Sequence, residues 1–370
     1  MILGIEAVNI RNGGGLNHLI NFLEKSSSTN YFKEIIVFTN SQTKAKLSHI
    51  NNIIIVAKSA FDLPYFLYVF YQLWFLRKDL KNYSCDLVFV PGSIFFIDFP
   101  NVLMPQNMLP FEEVELKRFT LLGSLKLSLI GFAQKYSLKK AYGVIFLSDY
   151  AKRKISAFSP LSKKTIIPHG VEGIINNITV NSEFTLKNPM KLLYVSPLYP
   201  YKHHEILVKA IGDLIEKGLN IQFKIIGSGS QSAVNSLKSK IRSSNIEYVG
   251  AVSPREISKY LSEANVFIFA STCENLPITM LEAMSHGLPI ISSNYGVMPE
   301  ILDNSSNFLG KNYNIKNADL LIESSSNAIM NVETLLKLKA SGNSETYIYG
   351  SPKIDLTLFS DTAKLHKKEN

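Results

Sequence analysis

The sequence predicts an α/β protein of two domains, each built on a largely parallel sheet, and three observations carry that expectation. First, the chain has 370 residues, 46% apolar and 19% charged, which is enough for two ordered cores and too apolar for a disordered chain. Second, short apolar runs rich in β-branched residues alternate with longer segments suited to helices in both halves. Third, a polar stretch at 173–189, with Asn176, Asn177, Asn181, Asn188 and Pro189, reads as a linker. It leaves a first domain at 1–172, a second at 190–350, and a C-terminal segment at 351–370.

In the first domain, strands are expected at the MILGIEAV start and at Glu34–Thr39, Ile53–Val56, Leu87–Val90, Val102–Met104 and Gly143–Leu147. Gly13, Gly14 and Gly15 follow the first strand and lead into Leu16, Leu19, Ile20 and Leu23 at helical spacing. Such a glycine loop is either a tight turn or a place where backbone approaches a phosphate closely. It is not the dinucleotide fingerprint, and no P-loop lysine follows. Residues 61–83 are dense in aromatics and end in Arg77, Lys78 and Lys81. They read either as a core helix with favourable cations in its last turn or as a patch that lies on a membrane. Gln106 and Asn107 sit in the loop after the Val102–Met104 strand; neither can act as a general base, so they position a ligand or only shape a turn. Ser148 suits a helix N-cap with Asp149 in the first turn, and His169 reads as a packed residue at the domain end.

Charge is unevenly placed. Residues 1–170 hold 20 Lys+Arg against 11 Asp+Glu, a net of +9, whereas residues 171–370 hold 19 of each. An anionic surface would therefore be met by the first half. No signal peptide and no apolar run long enough to span a bilayer are read, and Cys85 and Cys273 stand apart without metal spacing. A cytoplasmic protein, peripheral on the inner face of the membrane at most, is the expectation.

The second domain opens with a strand at 191–196, and Leu207, Ala210 and Ile211 begin a helix face. A strand at 221–226 runs into Gly227-Ser228-Gly229-Ser230, which reads as an exit turn from the residues alone. Ser253, Pro254 and Glu256 make a capping box before a helix. Helices are also expected at 318–331 and 332–339, and the last residues read as a helix or a tail.

The stretch that carries most chemistry is Val266 to Leu302, read as strand, loop, helix, strand, loop, helix. Pro277 suits the first helical position, and Gly287 with Pro289 ends that helix. Glu274 falls in the loop over the strand end, and Glu282 lies more than a turn into the helix. The amides of the first helical turn, near Asn275, Leu276 and Ile278, point where an anion such as a diphosphate would sit.

Glu274, Leu276, Pro277, Leu281-Glu282-Ala283-Met284, Gly287-Leu288-Pro289, Gly296 and Pro299-Glu300 together resemble the E-x7-E segment of the retaining glycosyltransferases of family 4. The resemblance implies the GT-B fold, two Rossmann-like domains facing across a cleft. It implies a nucleotide-diphosphate sugar as donor, with its sugar hydroxyls on Glu274 and its ribose on Glu282. The diphosphate would lie near Lys202, the helix amides and the glycine loop of Gly14 and Gly15. Ser196 and Pro197 stand where the family has glycine and arginine, so Lys202 is left as the expected cation. Glu274 and Lys202 are the catalytic candidates; Gly14, Gly15, Ser196, Asn275, Leu276, Ile278 and Glu282 are donor-side, and Gln106 and Asn107 acceptor-side.

The function implied is transfer of a hexose, with retention, to a glycan or polyprenyl-linked glycan in bacterial surface polysaccharide synthesis. No Asp-x-Asp occurs, so no metal and no other cofactor is expected. Glu274→Ala should then remove turnover and leave the fold intact. A non-catalytic sugar- or nucleotide-binding protein on the same fold and a nucleotide-sugar epimerase are the alternatives. Charge alone would permit nucleic-acid binding, but no recognition motif supports it.

Overall fold

The computed structural model describes residues 1–11, 13–158, 163–171, 189–304, 314–322 and 326–367. The expected linker at 173–189 falls outside them, residue 189 excepted. The chain divides into two units, Met1–His169 and Gly170–Asn370.

In the first unit, the six expected runs become β1 (Ile2–Glu6), β2 (Glu34–Phe38), β3 (Ile54–Val56), β4 (Leu87–Val90), β5 (Asn101–Leu103) and β6 (Gly143–Phe146), and the mostly exposed Lys164–Ile166 adds β7. They form one sheet in the order β3-β2-β1-β4-β5-β6-β7, with every pair parallel. Ile5, Val37, Phe38 and Val88 are fully buried in it, as expected where helices cover both faces. The helices are α1 (Gly13–Ser27), α2 (Ser41–Leu47), α3 (Tyr65–Tyr71), α4 (Arg77–Asn82), α5 (Glu113–Leu116), α6 (Leu121–Lys140) and α7 (Asp149–Ser156). A π-helical turn, Gln72–Leu76, joins α3 to α4. Ser148 caps α7 by accepting from the Ala151 amide at 3.1 Å.

The second unit repeats the plan. β8 (Met190–Val195), β9 (Ile221–Ile226), β10 (Ile246–Gly250), β11 (Val266–Phe269) and β12 (Ile290–Ser293) lie in the order β10-β9-β8-β11-β12, all parallel. The connecting helices are α8 (His204–Glu216), α9 (Gln231–Lys240), α10 (Pro254–Glu263), α11 (Ile278–Ser285) and α12 (Met298–Asn304). Strand order reverses between β8 and β11. In a sheet of this kind the loops leaving those two carboxyl ends diverge and open a crevice for ligands.

Beyond α12 the structure departs from the sequence reading. The helices expected at 318–331 and 332–339 are strands β13 (Asn314–Ile322) and β14 (Ser326–Ala340), and β14 runs antiparallel to β12. The reason is visible in Leu336, Leu338 and Ala340, which are buried and alternate with exposed Lys337 and Lys339. That is a period of two, the strand repeat. β15 (Glu345–Tyr349), β16 (Lys353–Phe359) and β17 (Lys364–Lys367) join the same sheet, so Lys364–Lys367 is a strand where the sequence reads a helix or a tail.

Candidate functional site

β8 ends at Val195 and β11 at Phe269, side by side at the point where strand order reverses. The loop after β8 carries Ser196 to Lys202, and the loop after β11 carries Ser271 to Pro277. An ion pair and hydrogen bonds bind the two loops together. The Lys202 ammonium forms an ion pair with the Glu274 carboxylate, their side chains only 9% and 13% exposed. His203 Nε2 lies 2.9 Å from Thr272 Oγ1, and the Thr272 amide donates to the Tyr201 carbonyl at 3.0 Å. The Lys202 ammonium also lies 5.4 Å from the centre of the Tyr201 ring and 5.3 Å from that of Phe269. Such faces favour a cation.

His203 holds the turn into α8 at φ 55, the left-handed region, which a non-glycine residue enters at a cost. Its bond to Thr272 and that of the Tyr194 hydroxyl, which donates to the Lys202 carbonyl at 2.9 Å, compensate. Ser196 is buried, with its hydroxyl 3.3 Å from His204 Nε2. Burial lowers the His204 pKa to about 4, and Lys202 nearby acts in the same direction, so this imidazole is neutral at pH 7.

The Gly227–Gly229 segment leaving β9 packs directly on this loop. A Cβ on Gly227 would stand 1.9 Å from the Ser196 carbonyl oxygen, and one on Gly229 would stand 2.8 Å from the Leu198 side chain. The glycines are there so that two backbones can approach. Gly227→Ala is therefore expected to destabilise the unit by about 3 kcal/mol or more, because the obstacle is backbone that cannot rotate away. A melting temperature within a degree of the parent's would contradict this.

Glu282 is half-buried on α11, and burial raises its pKa above the ordinary carboxyl value. Asn275 is buried, and Leu276 and Ile278 are half-buried at the start of α11. Pro277 is the N-cap of that helix, with φ −74 and ψ 105, one residue before the position the sequence reading gave it.

In the first unit, Gly13–Gly15 are not a loop but the first turn of α1, and Asn12 lies outside the described residues. Gly15 makes room for Gln106: a Cβ there would meet Gln106 Oε1 at 3.0 Å. The Gln106 amide nitrogen is buried and, among the described residues, has no hydrogen-bond partner. Asn107 caps its own turn, its Oδ1 accepting from the Leu109 amide at 3.0 Å. The expected site residues thus form two groups, Gly14, Gly15, Gln106 and Asn107 in the first unit and the rest in the second.

Sequence reasoning missed two clusters. His18 of α1 lies against His169, ring centres 4.5 Å apart, both half-buried; burial lowers both pKa values, that of His169 to about 4 with His18 adding to the effect. Glu6, at the end of β1, is buried and accepts a hydrogen bond from the Tyr68 hydroxyl at 3.0 Å. An acid closing an otherwise apolar strand was the signal for the second; nothing local announced the first. Cys85 and Cys273 are buried free thiols.

Known proteins resemble this chain in sequence over part of its length and in fold over most of it. Residues 178–333 match the family model described as glycosyl transferases group 1. The amylovoran biosynthesis glycosyltransferase AmsK of Erwinia amylovora is 29% identical over 156 residues, 40% of this chain and 37% of that one. The chain spans less than half the length of the first curated relatives it matches. Among solved structures, sucrose-phosphate synthase from Thermosynechococcus elongatus superposes with a TM-score of 0.60 at 15% identity, over 80% of this chain and 82% of that one. WaaG, a glycosyltransferase involved in lipopolysaccharide biosynthesis, gives 0.59 at 15% identity, over 82% and 84%. At such identities the likeness bears on fold alone, and the fold is GT-B.

Proposed function

We propose that this chain is a hexosyltransferase of family 4 that uses a nucleotide-diphosphate sugar, retains the anomeric configuration and needs no metal ion. The acceptor on this reading is a glycan or polyprenyl-linked glycan of a bacterial surface polysaccharide, as the names of AmsK and WaaG suggest. The observation that carries the proposal is the buried Lys202–Glu274 pair at the strand-order reversal, with Glu282 one turn into the following helix.

In the absence of donor, the two charges neutralise each other. When a nucleotide-diphosphate sugar enters, the diphosphate competes for the Lys202 ammonium together with the amides at the start of α11. Glu274 is then released to accept hydrogen bonds from sugar hydroxyls, and Glu282 to accept them from the ribose. The glycosidic carbon–oxygen bond to the phosphate breaks as the acceptor oxygen attacks from the same face. The leaving phosphate takes the acceptor proton, and Lys202 with the amides stabilises the charge that grows on it. In the first unit, we assign the unpaired Gln106 amide to acceptor positioning.

A panel of nucleotide sugars read by thermal stabilisation tests the donor. The right one at a hundred times its Kd is expected to add about 2.7 kcal/mol. No shift with any nucleotide sugar would remove the basis of the proposal. EDTA is expected to leave turnover unchanged, and loss of turnover on chelation would refute metal independence.

A further inference from the structure

We propose that the outward faces of α3, the π turn and α6 form one docking surface for an anionic lipid bilayer. The inference goes beyond sugar transfer and does not depend on it. α6 is built inside out. Its solvent side carries Leu122, Leu125, Leu129 and Phe132 at three- and four-residue spacing, all exposed, whereas the buried residues are Gly131, Gln134, Ser137 and, as the one large apolar side chain among them, Leu138. A surface helix normally shows the reverse. The α3 segment repeats the device: Phe66, Phe70 and Trp74 are exposed at four-residue spacing, Trp74 to 77%, while Tyr68 and Gln72 are buried.

Both helices are tied to the same short loop after β4. Gln72 Oε1 accepts from the Phe96 amide at 3.0 Å, Ser137 Oγ accepts from the Phe95 amide at 3.0 Å, and Gln134 donates to Ser93 Oγ at 2.9 Å. Phe96 also packs on Tyr136, with ring centres 6.1 Å apart. Two unpartnered apolar stripes held by one loop exceed the scattered exposure of an ordinary surface.

Charge identifies the occupant. Each stripe runs into exposed cations, Arg77, Lys78 and Lys81 after the first, Lys139 and Lys140 at the end of the second. α6 contains no acidic residue, and the one acid in 63–83, Asp79, is buried and paired with Lys58 at 2.6 Å. A second copy of the same face would bring these cations against one another with no acid between them. Anionic headgroups neutralise them while the aromatic and leucine side chains enter the acyl boundary, and the long cationic stems reach back to the headgroups. Among the described residues no helix is long and apolar enough to cross a membrane, so the face lies on the bilayer.

Trp74 is the only tryptophan of the chain and reports directly on the event. Full-length protein is mixed with vesicles of phosphatidylglycerol or of phosphatidylcholine, and Trp74 emission, acrylamide quenching and flotation are followed. The expected result is a blue shift, protection from quenching and co-flotation with phosphatidylglycerol only, reversed by high salt. The triple variant Leu125→Ser, Leu129→Ser, Phe132→Ser, whose sites are exposed and whose circular dichroism should match the parent's, is expected to bind at least about tenfold more weakly. Absence of any shift with anionic vesicles, or equal binding by parent and variant, overturns the proposal. So does a dimer in sedimentation that the triple variant disperses while vesicles go unbound.

Discussion

Lys202→Ala and Glu274→Ala are each expected to destabilise the second unit by about 3–5 kcal/mol, since either change strands a charge that the fold has taken out of water. Both side chains are too enclosed for solvent to rescue the survivor. The sequence-based expectation was that Glu274→Ala leaves the fold intact, for a carboxylate facing only ligand; the ion pair with Lys202 makes the opposite outcome the expected one. The double variant Lys202→Met with Glu274→Leu separates the two roles. It is expected to regain most of the melting temperature, because a buried ion pair replaced by apolar groups of similar volume is often neutral. It should still fail to turn over a nucleotide sugar. If the single variants melt like the parent, the pair does not hold the loops after β8 and β11 together.

Glu6→Gln is expected to stabilise the first unit above pH 7 and to flatten its dependence on pH. Burial raises the Glu6 pKa from 4.5 to about 7, opposed by the hydrogen bonds from the Tyr68 hydroxyl and the Val8 amide. The folded state therefore holds a proton that the unfolded chain releases near pH 4.5. The contribution to stability is fully present below pH 4.5 and is lost as pH rises to about 7, by at most about 3 kcal/mol. His169 works in the opposite sense. Its folded pKa is depressed to about 4, so it contributes stability above pH 6.5 that is lost as pH falls toward 4. The difference between parent and Glu6→Gln melting curves, taken from pH 5 to 8, isolates the glutamate. A difference that does not change with pH would show that Glu6 is ionised throughout.

Much of this architecture was legible because it rests on local signals. Buried parallel strands are continuous apolar runs, and Leu87–Val90 coincides with the expected segment residue for residue. The capping box at Ser253 and Glu256 was readable for the same reason: its partners are three residues apart, with the Ser253 amide donating to Glu256 Oε2 at 2.9 Å. Glu274 and Glu282 could be picked out by their place after a strand and within a helix. What could not be read was pairing over distance. Lys202 and Glu274 are 72 positions apart, and His18 and His169 lie at opposite ends of their unit. The C-terminal strands were misread because Leu-Lys-Leu-Lys satisfies helix propensity as well as strand alternation, and only pairing to a neighbouring strand decided it.

The π turn at Gln72–Leu76 has a consequence for how this helix could change. Tyr68, Gln72, Leu76 and Leu80 are all buried at a strict interval of four residues. A plain α-helix advances about 400° in four residues, so such a repeat would precess by about 40° at every step. The wider turn absorbs one extra residue and brings the inward side chains back into phase. Loss of a single residue there would restore an ordinary helix and swing Arg77–Asn82 by about 100°. Asp79 would leave Lys58, Leu80 would leave the core, and the cations would leave the aromatic stripe. In this helix, residue number is as constrained as residue identity.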